Sequence, residues 1–174
     1  MKIIFESHKT SVDNESGLAS GWRNSPLSEK GREQGINDRT RYADVLFDAV
    51  FTSDSQRAID TAELIFGERN IPTFSDSRLR EYNYGDLEGG DKKLVFGSLI
   101  DHIDTPYMNG ESVKDAMARM ESFIADLKKS NYENIVIIGH RATQLGLEHF
   151  INGVELEEYI KTPWEWQPGW KYNL

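Results

Sequence analysis

The chain has 174 residues, a formal net charge of −9 and no cysteine. This length favours one domain with a substantial core, and the lack of cysteine excludes disulfides, thiolate catalysis and cysteine-based zinc sites. The negative charge argues against proteins that bind nucleic acids or anionic membranes, since both need a basic surface. No run approaches the roughly 20 apolar residues of a membrane span, and the first residues are too polar for a signal peptide, so we expect a cytoplasmic protein.

Short apolar strands alternate with helices along the chain. In the first half, the predicted elements are a strand over 2–6, a polar loop over Ser11–Ser25, a helix over 26–42 capped by Ser25 or Ser28, a strand over Val45–Thr52, a helix over Ser55–Phe66 and a short strand over Pro72–Phe74. In the second half, they are an irregular segment over 82–110, a helix over Glu111–Lys129, a strand over Asn134–Gly139 and a helix over Ala142–Ile151. We expect the irregular segment to be a short insertion on the substrate side with at most a short helix.

Two of these elements indicate the fold class. The helix over Glu111–Lys129 has a single apolar face, and the strand over Asn134–Gly139 is apolar throughout, as in a strand that is covered on both sides. Together with the alternation of strands and helices, they predict an α/β fold. The expected architecture is a single-domain three-layer sandwich over 1–174, in which a mainly parallel sheet carries helices on both faces.

Two histidines stand just past the ends of apolar strands. His8 follows the first strand, His140 follows the strand over 134–139, and Arg57 and Glu81 lie soon after other strand ends. In an open α/β sheet, ligands bind outside the carboxyl ends of the parallel strands, so residues far apart in sequence meet in one site. Two imidazoles, an arginine and a carboxylate in one site predict chemistry on an anionic group.

Several short blocks are weak signals alone but specific in their combined order. They are Glu6-Ser7-His8-Lys9-Thr10, Gly21-Trp22, Pro26-Leu27-Ser28-Glu29-Lys30-Gly31, Ser53-Asp54-Ser55-Gln56-Arg57-Ala58-Ile59-Asp60-Thr61-Ala62, Leu79-Arg80-Glu81, Gly85-Asp86-Leu87-Glu88-Gly89, Gly110-Glu111-Ser112 and Gly139-His140. In these blocks the chain resembles the histidine phosphatase (phosphoglycerate mutase-like) superfamily over nearly its whole length. The resemblance implies phosphoryl-transfer chemistry that needs no cofactor and no metal.

The resemblance also implies a role for each candidate residue. His8 matches the histidine that attacks phosphorus and becomes a phosphohistidine, which an unprotonated imidazole does near neutral pH. His140 matches the second histidine, which stabilises the phosphoryl oxygens. Arg57 matches the arginine that clamps phosphate with its planar fork, and Glu81 matches the acid that protonates the leaving oxygen.

Structural alternatives stand beside these roles. A buried histidine often does no more than satisfy a hydrogen bond, and Arg57 has Asp54 and Asp60 nearby as surface partners. Glu81 is also one acid of a charged run. Asn14 lies in the loop that in this family reaches over the phosphate and is a candidate amide donor, although polar loops contain such residues in any case.

The chain departs from the family pattern beside both histidines. The family's first motif is Arg-His-Gly, whereas this chain has Ser7-His8-Lys9, and the second motif ends in His-Gly, whereas this chain has His140-Arg141. One phosphate-clamping arginine is therefore missing. We hypothesise that Arg141, with Lys9, replaces it from another direction. The alternative is that both cations point to solvent in a weakened or inactive relative.

Trp164, Trp166 and Trp170 lie between two prolines near the end of the chain. One interpretation is an edge segment that packs its aromatic rings on the sheet. The other is a tryptophan at the mouth of the pocket that sets specificity by stacking. The sequence leaves both open.

The predicted function is a metal-independent phosphomonoesterase that acts on a small phosphorylated metabolite through a phosphohistidine. A pseudo-phosphatase that binds a phosphorylated ligand without turnover is the alternative, because Ser7 replaces an arginine. A phosphoglycerate mutase is less favoured, since those of this family are longer, and a metallohydrolase is least favoured. The expected partner is a small phosphorylated substrate, with no nucleic acid and no membrane, and a homodimer is left open.

Overall fold

A computed structural model, which describes residues 1–174, contains one sheet of five strands. In chain order the strands are β1 (Lys2–Ser7), β2 (Ala49–Thr52), β3 (Thr73–Ser75), β4 (Asn134–Gly139) and β5 (Trp170–Asn173). Across the sheet their order is β3-β2-β4-β1-β5, and only β5 runs antiparallel to its neighbour. The prediction of an α/β fold with a mainly parallel sheet is confirmed.

Helices cover both faces of this sheet. They are α1 (Val12–Glu15), α2 (Glu29–Tyr42), α3 (Gln56–Phe66), α4 (Lys92–Gly97), α5 (Val113–Leu127), α6 (Arg141–Asn152) and α7 (Leu156–Lys161), with 3-10 turns at Ser77–Leu79, Gly85–Leu87 and Leu99–His102. None of the helices has the length and apolar content that crossing a membrane requires.

Alternate residues of β4 belong to two separate cores. Ile135 and Ile137 pack in a large cluster with the apolar face of α5, whereas Val136 and Ile138 pack in a smaller one with α3. Successive side chains of a strand point to opposite faces, so a strand covered on both sides is apolar at every position. This explains the unbroken apolar run that the sequence shows at β4.

Some predicted boundaries were wrong, and two helices were missed. Ser28 is the N-cap of α2 and accepts a hydrogen bond from the Gly31 N–H, so Ser25 is not the cap. The second strand begins at Ala49 because residues 42–45 form a turn whose carbonyl groups bind the Arg69 guanidinium. Both α1 and α7 are too short to show a periodic pattern. The segment over 82–110 contains α4 and two of the 3-10 turns, in line with the expected short helix.

The segment around the tryptophans is only partly a strand. Trp170 is in β5, is 8% exposed and packs against Phe5, with 5.5 Å between the ring centroids. Trp164 and Trp166 precede the strand, so the alternation of a strand, which would place both on the same side, does not apply to them. The interpretation of an edge segment that packs on the sheet is confirmed for Trp170, whereas a tryptophan that sets specificity at the pocket mouth stays a prediction.

A quartet of charges joins β1 to α2, and we call it the buried quartet because all of its members except Arg41 are buried. The Lys9 ammonium lies 2.9 Å from a Glu6 oxygen and 2.5 Å from an Asp38 oxygen, and the Arg41 guanidinium lies 2.7 Å from Asp38 and 3.3 Å from Glu6. The Tyr42 hydroxyl also donates to Glu6. The Glu6, Lys9 and Asp38 side chains are at most 8% exposed. Two cations balance two carboxylates, which is the condition under which buried charges are tolerated.

We expect Lys9→Met to lower the free energy of unfolding by about 3–5 kcal/mol, because it leaves Glu6 and Asp38 with Arg41 as their single counter-charge. The double variant Glu6→Gln, Lys9→Met restores a balanced pair and should recover much of that loss. Urea unfolding of the three proteins measures both values. Equal losses in the single and double variants would contradict the charge balance described here.

Candidate active site

The register between β1 and β4 brings the two predicted histidines together. Ser7 is paired with Gly139 at the carboxyl ends of the two parallel strands, and each is followed directly by a histidine. The His8 N–H donates to the Gly139 carbonyl at 2.9 Å, which extends the pairing by one step. The imidazole rings of His8 and His140 lie with their centroids 5.0 Å apart.

Hydrogen bonds assign the tautomer of His8. Its Nδ1 lies 2.7 Å from the carbonyl oxygen of Lys9, so this nitrogen carries the proton and donates. Its Nε2 accepts from the Nε–H of Arg57 at 3.3 Å. The lone pair on Nε2 therefore faces the guanidinium, the orientation in which an attack on a phosphate held by Arg57 would start.

Arg57 connects both imidazoles to the loop that precedes α2. It sits in the first turn of α3, is 2% exposed and donates to the carbonyl groups of Gly21 at 2.8 Å and Arg23 at 3.2 Å. It also lies 3.4 Å from Nδ1 of His140. The guanidinium is the central donor of the site, at the start of a helix, where backbone amides also favour an anion.

His140 is 1% exposed and caps the start of α6. Because Nδ1 accepts from Arg57, Nε2 carries the proton and donates to the Ser55 hydroxyl at 3.1 Å. Burial, with the Arg57 charge beside it, lowers the pKa of His8 to about 3 and holds the pKa of His140 well below its usual value. Both rings are therefore neutral near pH 7.

Glu81 lies at the amino end of α6. Its carboxylate accepts hydrogen bonds from the backbone N–H groups of Tyr82 at 3.0 Å, Arg141 at 3.2 Å and Ala142 at 3.0 Å. The side chain is 8% exposed and lines two cavities, one shared with His8 and a smaller one shared with Arg57. Three backbone donors thus hold the carboxyl group beside the histidine pair.

The larger cavity has a volume of about 590 Å³. Of the residues predicted from the sequence, it is lined by His8, Lys9, Asn14, Glu81 and Arg141. Asn14 uses its carbonyl oxygen to accept the Ser11 N–H at 3.0 Å, which leaves its amide N–H₂ free. Lys9 reaches the cavity, but its ammonium is held in the buried quartet.

Arg141 is joined in the cavity by a lysine that the sequence analysis missed. Lys92, in the first turn of α4, has no carboxylate within ion-pair distance, and neither does Arg141. Both cations lie over the ring of Phe96, at 5.3 Å and 5.2 Å from its centroid, and Arg141 also donates to the Ile160 carbonyl at 3.3 Å. The only sequence signal for Lys92 was its place in the segment assigned to the substrate side.

No three His, Cys, Asp or Glu side chains come together in a way that could hold a metal ion. Instead, His8, Glu81 and the two unpaired cations line the larger cavity, Arg57 lines the smaller cavity that also includes Glu81, and His140 contacts Arg57 but lines neither cavity. The donors and charges suit an oxyanion such as a phosphate monoester.

Comparison with known proteins points to one superfamily. The family model described as histidine phosphatase superfamily (branch 1) matches residues 6–167. A putative phosphoserine phosphatase 2 from Hydrogenobacter thermophilus is 28% identical over 90% of this chain and 81% of its own length. A 2,3-bisphosphoglycerate-dependent phosphoglycerate mutase from Methylobacterium sp. is 35% identical over 68% of this chain and 63% of its own length. The crystal structure of the alpha-ribazole phosphatase from Shigella flexneri superposes with a TM-score of 0.82, at 29% identity, covering 91% of this chain and 83% of that one.

The lowered pKa values predict a dependence of stability on pH. In the unfolded chain both histidines take up protons near the ordinary pKa of 6.5, whereas folded His8 does so only near 3. Between these values the unfolded state binds more protons, so the free energy of unfolding falls as the pH is lowered. We expect His8→Asn to reduce this slope by up to ~1.4 kcal/mol per pH unit, measured by urea unfolding at several pH values between about 6 and 4.5.

The matched control is His102→Asn, which removes an imidazole that stacks on Tyr107 outside the cavity. It should leave the contribution of His8 to the slope in place. If His8→Asn keeps the wild-type slope, the lowered pKa of this ring is contradicted.

Proposed function

Because the chain belongs to the histidine phosphatase superfamily, branch 1, we propose that it is a metal-independent phosphomonoesterase that forms a phosphohistidine on His8. The observation that carries the proposal is the pair of hydrogen bonds on the His8 ring. The Lys9 carbonyl accepts a hydrogen bond from Nδ1–H, and the lone pair of Nε2 is directed at Arg57. A nucleophile and an anion-binding group are thus already aligned.

In the first step, a bond forms between Nε2 of His8 and phosphorus while the bond from phosphorus to the leaving oxygen breaks. Glu81 supplies the proton that the leaving alkoxide needs, from its position in the same cavity as His8. Arg57 donates to the phosphoryl oxygens in place of the Gly21 and Arg23 carbonyls that it now contacts. The negative phosphate favours protonation of His140, which then donates as well.

In the second step, water attacks phosphorus on the phosphohistidine. The bond between nitrogen and phosphorus breaks, Glu81 takes the proton from the water, and inorganic phosphate leaves with the His8 lone pair restored. The acid of the first step is thereby the base of the second, and no proton is gained or lost over the cycle. Release of phosphate to water is what separates this reaction from transfer to a second substrate.

The role of the missing motif arginine passes, in this proposal, to Arg141 and Lys92. Both cations line the cavity and lack a carboxylate partner, so their charge is available to a phosphate dianion. Lys9, which we also considered, has its charge balanced by Glu6 and Asp38. We therefore assign the compensation to Arg141 with Lys92, and assign Lys9 to the orientation of His8 through its carbonyl group.

The names of the relatives support the substrate class in addition to the short length of the chain. Two of the similar proteins are named as phosphatases of small phosphorylated compounds, and one is named as a mutase. A mutase would return phosphoryl to 3-phosphoglycerate in the presence of 2,3-bisphosphoglycerate, which is a direct assay. Ligand binding without turnover would identify a pseudo-phosphatase instead.

We expect phosphate release from a panel of phosphomonoesters to continue in EDTA and to fall by on the order of 10³-fold or more in His8→Ala, because the nucleophile is removed. Acid-labile, base-stable labelling of the wild type with a phosphorylated substrate should disappear in the same variant. His149→Ala, a histidine outside the cavity that binds the Val154 carbonyl, is the control and should retain activity. Labelling that survives in His8→Ala would exclude this residue as the nucleophile.

We expect Arg141→Ala and Lys92→Ala each to lower kcat/KM by roughly 10- to 100-fold, the effect of losing one charged hydrogen bond to phosphate. Lys93→Ala is the matched control, since Lys93 is adjacent to Lys92 on α4 but does not line the cavity. Inhibition by inorganic phosphate should weaken in the two test variants and not in the control. Wild-type kinetics in Arg141→Ala would contradict its proposed role.

A further inference from the structure

The cavity that holds His8 extends beyond the groups needed for phosphate. A second part of its lining comes from α2 and from the segment between α7 and β5. These residues are Gln34, Asn37, Asp38, Arg41, Trp164 and Trp166. We call this set the aromatic wall. It is continuous with the site, so it faces whatever group the phosphate is attached to.

The charges of the aromatic wall are already neutralised. Arg41 and the neighbouring Lys9 are both bound to Asp38 and Glu6, within 3.3 Å in every pair. In contrast, the two cations near Phe96 have no carboxylate partner. The cavity therefore has a cationic part and a part without net charge. A second anionic group on the substrate would find no free counter-charge at the aromatic wall.

The two tryptophans of the wall are exposed but held in place. Trp164 is 37% exposed, and its indole N–H donates to Gln144 at 2.7 Å while its ring lies 5.9 Å from that of Trp170. Trp166 is 52% exposed, with the Arg41 guanidinium 5.8 Å from its ring centroid. Flat apolar surface oriented toward a cavity gains most from burial by another flat ring, since aromatic pairs add energy beyond the area they bury.

A free donor lines the same cavity as these rings. The side-chain oxygen of Gln34 accepts from both the backbone N–H and the hydroxyl of Thr10, at 3.1 Å and 2.9 Å, which leaves its N–H₂ without a partner. An acceptor atom at the edge of a planar ring would satisfy it. The wall thus combines stacking surface with a neutral hydrogen-bond donor.

We propose that the aromatic wall is the leaving-group subsite and that it recognises an uncharged aromatic ring on the alcohol of the phosphomonoester. This inference rests on the proposed phosphatase function, since it assigns a binding surface to the alcohol that leaves when the phosphoryl group is transferred. It makes Trp166 a specificity-determining residue. It also disfavours phosphorylated carboxylic acids as substrates, because their leaving group carries a charge.

Phosphonates test the subsite without turnover, because their carbon–phosphorus bond is not hydrolysed. We expect isothermal titration calorimetry on the full chain to give tighter binding for benzylphosphonate than for cyclohexylmethylphosphonate by roughly three- to tenfold, the size of one aromatic pair. Burial of apolar area alone would favour the cyclohexyl compound. The ratio should fall toward one in Trp166→Ala and stay above one in Trp166→Phe. Leu94→Ala, an exposed apolar residue outside the cavity, is the control and should keep the wild-type ratio.

Equal binding of the two ring compounds by the wild type, or an unchanged ratio in Trp166→Ala, would overturn the proposal. Tighter binding of 3-phosphonopropionate than of benzylphosphonate would also overturn it, because the leaving group would then be charged. Methylphosphonate separates this failure from failure of the proposed function. If it binds without any preference for the aromatic compound, only the subsite is wrong, whereas no binding by any phosphonate overturns the phosphoryl site and the subsite together.

Discussion

The parallel register between β1 and β4 is the constraint on which the site depends. Ser7 and Gly139 are partners at the ends of these strands, so the two histidines that follow emerge at the same level with their rings 5.0 Å apart. Side chains alternate between the faces of a sheet, so a slip of one residue would direct one imidazole away from the other. The neighbouring β2 ends in step with them, because the Ser53 N–H donates to Ile138, and this places α3 and its Arg57 against both rings.

Electrostatics then decides which groups are free to act. Desolvation and the neighbouring Arg57 guanidinium keep both imidazoles neutral by lowering their pKa values, so Nε2 of His8 keeps a free lone pair. The remaining cations fall into two classes. Lys9 and Arg41 form ion pairs within the buried quartet. Lys92 and Arg141 contact aromatic rings instead, and Arg141 also donates to a carbonyl group. Residue type does not show which lysines and arginines are free. Only the presence or absence of a carboxylate partner in the fold shows it.

That distinction also marks what could be predicted from the sequence. Strands, long helices and the residues at strand ends were found because periodicity and motif order are local properties. The ion pairs of Lys9 were not predicted, because Glu6 and Asp38 belong to β1 and α2 and contact Lys9 only when these elements pack together. Lys92 was missed because α4 is short and lies in a segment without periodicity. Short helices such as α1 and α7 depend on caps and on contacts with distant segments, so no periodic pattern in their own sequence predicts them.

Ser7, His8 and Lys9 form one coupled set with the residues around them. The Lys9 side chain points into the protein beside β1, where an unpaired ammonium would be costly, and Glu6 and Asp38 supply the compensating charge. The carbonyl group of Lys9 accepts from Nδ1 of His8, which fixes the tautomer of that ring. Ser7 lines the cavity without bringing a charge to it, whereas Arg141 and Lys92 bring two cations that no acid neutralises. Under the proposed function, the positive charge available to a phosphate therefore comes from α6 and α4, whereas the part of the cavity toward α2 has no net charge and exposes two tryptophan rings.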